Sequence, residues 1–285
     1  MALAKNYTSL LDEVYRSASV TADLTSDAGM SRAGANANEI IYPQISVTGL
    51  GEYDRNAGYT SASVDLKWKT AAFNYDRGAK ITVDVMDNEE SRNLAFGMAG
   101  ATLMREKVAP EADAFTFATL AALDNISKAT GEIDDATQFL DALLAAWSKM
   151  DEDEVPQEGR MLYATATLLN SVMALDTTKS REILSRFDVK KVVPQARFYT
   201  AIDLLDGKTV DEEAGHYKKA DTGQDISFMI IHKPAIIKFD KHVASNIIPA
   251  SANPDADADI VKYRKYGMVN GYENKRAGIY LHSKA

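Results

Sequence analysis

The chain has 285 residues, 32 Lys and Arg against 41 Asp and Glu, no cysteine and 46% apolar content, enough for one large domain or two small ones. Its 26% charged residues match a globular chain and exclude wholesale disorder, while the missing cysteines exclude disulfides, thiol nucleophiles and cysteine-held zinc or iron–sulfur centres. A net charge of −9 argues against non-specific duplex binding, which needs excess cation to displace counterions from phosphates.

In chain order, the opening MALAKNYTSLLDEVYRS lacks the sustained apolar run of a secretory signal, so none is expected. Leu3, Tyr7, Leu10, Leu11, Val14 and Tyr15 recur at helical spacing and predict a short amphipathic helix. Residues 17–38 are mostly Ser, Thr, Ala, Gly, Asn and Asp. Such a segment cannot bury enough surface to offset its ordering entropy, and predicts an arm that orders only against something else. A long β region follows. Val64, Leu66 and Trp68 alternate with Asp65, Lys67 and Lys69, giving a strand with one apolar face. Ile81, Val83 and Val85 repeat the pattern, Ile45 and Val47 flank Ser46 upstream, and Pro43 marks an edge position. Gly49 to Ser63 reads as a long tip. A two-stranded ribbon of this length is marginal in water unless it lies on another surface. Two readings therefore stand: an extended ribbon, or two ordinary strands of one sheet, which composition alone slightly favours.

Asp87 with Glu90 three residues later predicts a helix N-cap. Leu94, Met98, Ala101, Met104, Val108, Ala112 and Phe115 then keep steps of three and four, predicting one long helix over 88–123 with a kink at Pro110. Asp135 and Gln138 cap a second helix with Phe139, Leu140, Leu143, Leu144 and Trp147 as its stripe, ended by the acidic loop DEDEVPQEG. A buried strand over 161–164 and a helix over 167–175 come next. The apolar run Ile226 to Ile231, broken by Pro234, and the strand Ala235 to Phe239 together resemble a hairpin in a covered sheet. Val261, Tyr263, Val269 and Tyr272 suggest further strands, and Gly278 introduces the last, Ile279 to Leu281.

Chemistry-bearing motifs are few. Gly207-Lys208-Thr209 lacks the upstream glycine of a phosphate loop, since position 202 is Ile, and reads as a polar turn. Asp255, Asp257 and Asp259 open like a calcium loop, but Ile260 and Tyr266 stand where its glycine and closing glutamate belong. His216, His232, His242 and His282 form no short ligand spacing, and GxSxG is absent. The run Asp151 to Glu154 reads as solvated. No catalytic, metal or cofactor residue is expected, and no enzyme.

The arm, ribbon and long helix, in this order, resemble the major capsid protein of tailed phages, the Hong Kong 97 fold family. The resemblance covers nearly the whole chain and is carried by ISFMIIHKPAIIKFDKHVASNIIP and IVKYRKYGMVNGYENKRAGIYLH near the C-terminus, by KKVVPQARFY and by YDRGAKITVD. It implies an α+β fold with an N-arm (1–38), an extended β-hairpin loop (39–80), a peripheral domain with the spine helix (81–130), an axial domain (131–254) and C-terminal strands completing both sheets (255–285). It implies a structural coat protein that self-assembles, as pentamers and hexamers, into the icosahedral shell around a phage's double-stranded DNA, made in the host cytoplasm and found in the virion. A neighbouring subunit would supply the surface beneath the ribbon, with Val64, Leu66, Lys67, Trp68 and Lys69 as inter-subunit contacts and Trp68 as the anchor. A portal protein and, because the arm starts almost at Met1, a separate scaffolding protein are the implied partners. DNA would be held without sequence-specific contacts, no membrane is involved, and the acidic charge suits a lining along which duplex slides. An encapsulin-type shell, which would hold protein cargo, is the alternative within the fold; a monomeric binding protein or enzyme is the alternative outside it.

Overall fold

The computed structural model describes residues 14–15, 17–26, 32–33, 39–56, 58–59, 61, 63–90, 94–175 and 177–285. The helix expected from Leu3 falls largely outside these residues. Among them the strands are β1 (Arg32–Ala33), β2 (Glu39–Val47), β3 (Val64–Ala72), β4 (Tyr75–Asp84), β5 (Ser127–Thr130), β6 (Arg160–Thr165) and β7 (Val189–Val193). They continue with β8 (Ile202–Leu204), β9 (Tyr217–Lys219), β10 (Ile226–His232), β11 (Ile236–Ile248), β12 (Ala258–Gly271) and β13 (Ile279–Ser283). No helix among the described residues is long and apolar enough to cross a membrane.

Two sheets carry the core. The first has the order β5-β13-β10-β6-β7. Its central strand, ISFMIIH, is buried at every position, as an uninterrupted apolar run requires when both faces of a sheet are covered. Phe228 and Ile230 pack with Phe139, Leu140, Leu143 and Trp147 of the helix Ala136–Glu152. Met229 and Ile231 pack with Phe117 and Leu120 of the long helix. The second sheet has the order β11-β12-β4, with β11 and β12 paired from Ile236↔Gly271 to Ile248↔Ile260 around a bulge between Asp240 and His242. The expected hairpin of β10 with the following strand is thus corrected: β10 pairs with β13 and β6, and β11 pairs with β12. The turn Lys233–Ala235, with Pro234 removing one backbone donor, redirects the chain from one sheet to the other.

Two helix details also depart from expectation. The helix after β4 starts at Val85, so Asp87 lies inside its first turn. The backbone N–H of Met86 donates instead to Asp84 Oδ1 at 2.9 Å, so the last strand residue serves as the cap. The long helix runs as Leu94–Leu103 and Ala109–Ala121, joined by a wider π turn over Met104–Val108. Ala109 N–H donates to the carbonyl of Met104, five residues back. This register shift accommodates Pro110, whose ring cannot sit against the carbonyl four residues before it. At 1.5 Å per residue the segment 94–121 is about 40 Å long. By contrast, the Asp135 cap forms as expected, accepting from Gln138 N–H at 2.8 Å, while Gln138 Oε1 accepts from Asp134 N–H at 2.8 Å.

Candidate assembly interface

β2 and β3 form an antiparallel hairpin with Ile45↔Leu66, Pro43↔Trp68 and Val47↔Val64 as facing pairs. Facing residues share one side of a pleated ribbon, so Pro43, Ile45, Val47, Val64, Leu66 and Trp68 line one apolar face, and Gln44, Ser46, Asp65 and Lys67 the other. Burial changes sharply along this hairpin. At its base Ile40, Tyr42 and Ala71 are buried against Ile237 and Met268 of the second sheet. Farther out, Val64 is 68% exposed, Leu66 50% and Trp68 45%. Ile45, Val47, Leu50, Tyr53 and Tyr59 are exposed as well. The question left open by composition is therefore resolved in favour of a ribbon: β2 and β3 are not strands of a core sheet.

The ribbon has a firm root. Tyr42 meets Tyr272 edge-on at 5.3 Å between ring centroids, and Lys69 Nζ lies 3.0 Å from Glu273 Oε2. Lys67 pairs at 2.7 Å with Asp65 on its own strand, both more than half exposed, where solvent screening leaves the pair little structural weight. Of the five ribbon residues singled out by sequence, Val64, Leu66 and Trp68 thus form an exposed apolar row, Lys69 belongs to the root, and Lys67 flanks the row on the opposite face. β4, which sequence grouped with the ribbon, lies instead beside β12 in the second sheet. It is fastened to the long helix through Glu111, whose Oε1 accepts from Arg77 Nε at 2.6 Å and Tyr75 Oη at 3.2 Å. Burial pushes the Glu111 carboxyl up, but the His216 ring, with Nδ1 3.5 Å from Oε2, and the hydrogen bonds from Arg77 outweigh it and hold the group below the usual carboxylate range.

No protein-family model and no curated protein matches this sequence. Solved structures do match its fold. A chain of Mycobacterium phage Che8 aligns over 93% of this chain and 90% of its own, with a TM-score of 0.58 at 16% identity. The mature capsid of bacteriophage PhiM1 aligns over 87% and 82%, with a TM-score of 0.56 at 13% identity. This chain has the Hong Kong 97-type capsid fold. A virus-like particle from Pyrococcus furiosus shares the fold over 99% of this chain and 100% of its own, with a TM-score of 0.58 at 9% identity.

Within this capsid fold the sequence reading missed one group of residues altogether. The arm segment 17–26 was expected to order only against something else, but it lies on its own chain. Asp113 of the long helix, fully buried, accepts from Ser19 Oγ at 2.7 Å, Val20 N–H at 2.9 Å, Thr21 N–H at 3.1 Å and Thr21 Oγ1 at 2.7 Å. Lys238 of β11 donates to Thr21 O at 2.9 Å and Thr21 Oγ1 at 2.7 Å. The small polar residues that made this segment look unstructured are the partners of buried charges. Residues 27–31 and 34–38 of the arm lie outside the described residues.

The positions screened for chemistry have structural explanations. Gly207, at φ +71°, sits in a turn where Asp206 accepts from Lys208 N–H, Thr209 N–H and Thr209 Oγ1. Those bonds, the hydroxyl first, pull the Asp206 carboxyl down to about 2. Asp151 is more than solvated: its Oδ1 accepts at 2.6 Å from Arg160, whose fully buried guanidinium lies 4.3 Å from the Trp147 ring centroid. Asp259 Oδ1 accepts from Ala250 N–H at 2.8 Å. His282 stacks on Phe228 at 5.0 Å, and burial pushes its imidazole below the ordinary histidine value.

Proposed function

We propose that this chain is a major capsid protein, the coat subunit of an icosahedral shell enclosing the double-stranded DNA of a tailed phage. The observation that carries the reading is the exposed apolar row Val64, Leu66, Trp68 with Ile45 and Val47 on a rooted ribbon, in a chain with a capsid fold. Scattered exposed apolar residues are ordinary, but an ordered row along one face marks a contact surface. A neighbouring subunit covers this row in the assembled shell, and Val64, Leu66, Lys67, Trp68 and Lys69 make the inter-subunit contact. The proposed domain division follows the same scheme: N-arm 1–38, extended loop 39–80, peripheral domain from 81, axial domain from 131, and C-terminal strands from 255. One boundary of that scheme changes: the pairing of β11 with β12 and β4 supports moving 236–248 out of the axial domain to the peripheral one. Pentamers and hexamers of the chain, a separate scaffolding protein and a portal are the partners. The virion, assembled in the host cytoplasm, is its place. The net charge of −9 supports a lining that confines duplex without gripping it.

The full-length match to the Pyrococcus furiosus virus-like particle supports a second reading, a shell without a phage genome. Purifying assembled particles from infected or expressing cells and digesting them with nuclease separates the two. Protected double-stranded DNA in particles made during infection supports the phage coat. Particles that hold only protein support the second reading.

A further inference from the structure

Residues 19–26 touch the long helix and one strand of each of the two sheets, β7 and β11. They meet the long helix through Asp113 and β11 through Lys238. Asp23 pairs with Lys191 of β7 at 2.8 Å. Ser26 N–H donates to Lys238 O at 2.9 Å, and its Oγ donates to Ile236 O at 3.1 Å. Arg197 Nη1 completes the cluster, donating to Ala18 O at 3.1 Å and Asp113 Oδ2 at 3.2 Å. At the centre stands one hydroxyl. Thr21 Oγ1 donates to the Asp113 carboxylate and accepts from the Lys238 ammonium, both at 2.7 Å, and so bridges two buried opposite charges. We propose that residues 19–26 are a releasable strap across the joint between the two sheets, held closed by the Thr21 hydroxyl and able to open without unfolding the rest of the chain.

Three observations make the strap separable. Its anchoring is mostly polar, with Leu24 as its one large fully buried apolar side chain, and local openings come from segments with few buried apolar contacts. Closure holds Lys238 and Asp113 out of water, and that desolvation cost offsets part of what their hydrogen bonds contribute. Finally, a cavity of about 10 Å³, enough for roughly one water, lies beside Lys238, Asp240 and Lys265 beneath the joint. Packing next to these charges is therefore incomplete even with the strap closed.

Hydrogen exchange read by mass spectrometry on the full chain tests this. In the native chain, amides of 19–26 should exchange through an opening with a weaker denaturant dependence than amides of 228–231 in β10. Thr21→Val, which keeps the shape and removes the bridge, should speed strap exchange about 10- to 100-fold and leave β10 exchange unchanged. Thr21→Ser, which restores the hydroxyl, should return strap exchange to within about 3-fold of the native rate, since hydroxyl and bridge are kept. The proposal is overturned if strap and β10 share one rate and one denaturant slope in the native chain. It is overturned equally if Thr21→Val leaves strap exchange unchanged, or accelerates both regions together. The native-chain comparison decides the matter even if Thr21→Val does not fold.

Discussion

Replacing Trp68 with Asp tests the ribbon where its two possible roles diverge most. A Trp side chain offers up to about 250 Å², and at 45% exposure roughly 110 Å² remains for a neighbour to cover, worth about 3 kcal/mol per contact at 25 cal/mol per Å². Asp at that position forfeits this term and carries a charge into the contact, adding several kcal/mol of desolvation. The effect is repeated at every subunit, so shell formation should fail. The isolated subunit loses only the contacts of the part of Trp68 that its own chain already covers, roughly 140 Å². That loss is about 2–3 kcal/mol once a compact unfolded chain is allowed for, or a melting temperature lower by about 5–10 °C. Ala71→Asp supplies the contrast on the same strand: Ala71 is buried at the root against Ile237 and Met268, so a carboxylate there should cost the subunit at least about 3 kcal/mol. Melting followed by circular dichroism reads the subunit, and sedimentation velocity reads the assembly. A drop of more than about 10 °C for Trp68→Asp, or normal shells from that variant, would refute the assignment of the ribbon's apolar face to a neighbour.

Other expectations follow from the buried charges. Burial, aided by repulsion from Lys265, pushes the Lys238 ammonium down to about 8, against the attraction of Asp113, Asp240 and Asp23, with Tyr15 also nearby on Lys265. Because the folded value lies below the unfolded value of about 10.4, the penalty is fully present below pH 8 and is relieved as pH rises towards 10.4. The stability of the native chain relative to Lys238→Met should therefore climb by on the order of 3 kcal/mol across that window, and urea titrations showing a flat or falling difference would contradict this. Arg160→Ala removes a fully buried guanidinium that donates to Asp151 and to the carbonyls of Val155 and Pro156. It should lower stability by about 2–4 kcal/mol, through the two carbonyls left without that donor and the lost packing on Trp147, while Asp151, 38% exposed, is rehydrated; a shift in denaturation midpoint under about 1 kcal/mol would place that ion pair among the inconsequential ones.

The legible parts of this sequence were those in which one local pattern has one structural outcome. The alternation at Val64, Leu66 and Trp68, the buried run from Ile226 and the Asp135 cap each follow from period or capping chemistry within a few residues. Pairing was less legible, because nothing local to Ile236–Phe239 says that its partner lies near Val269 and not next door at Ile231. The π turn was signalled by Pro110, yet a kink and a register shift are equally consistent with a proline in a helix. The ribbon's exposure was half legible: alternation shows an apolar face, but whether that face meets the same chain or another depends on the rest of the fold. The strap was not legible at all. Ser19 and Thr21 are polar residues in a polar run, and their role exists only because Asp113 and Lys238, some 90 and 217 residues away in sequence, arrive at the same place.

The central claim is that this chain builds a closed shell through surfaces left exposed on the single subunit. Electron microscopy of the purified full-length chain, together with sedimentation velocity on the same sample, tests it most directly. The account predicts closed particles or rings of five and six subunits, with Trp68→Asp abolishing them. A single sharp species of 31.1 kDa under all assembly conditions, with or without a scaffolding partner, would contradict it.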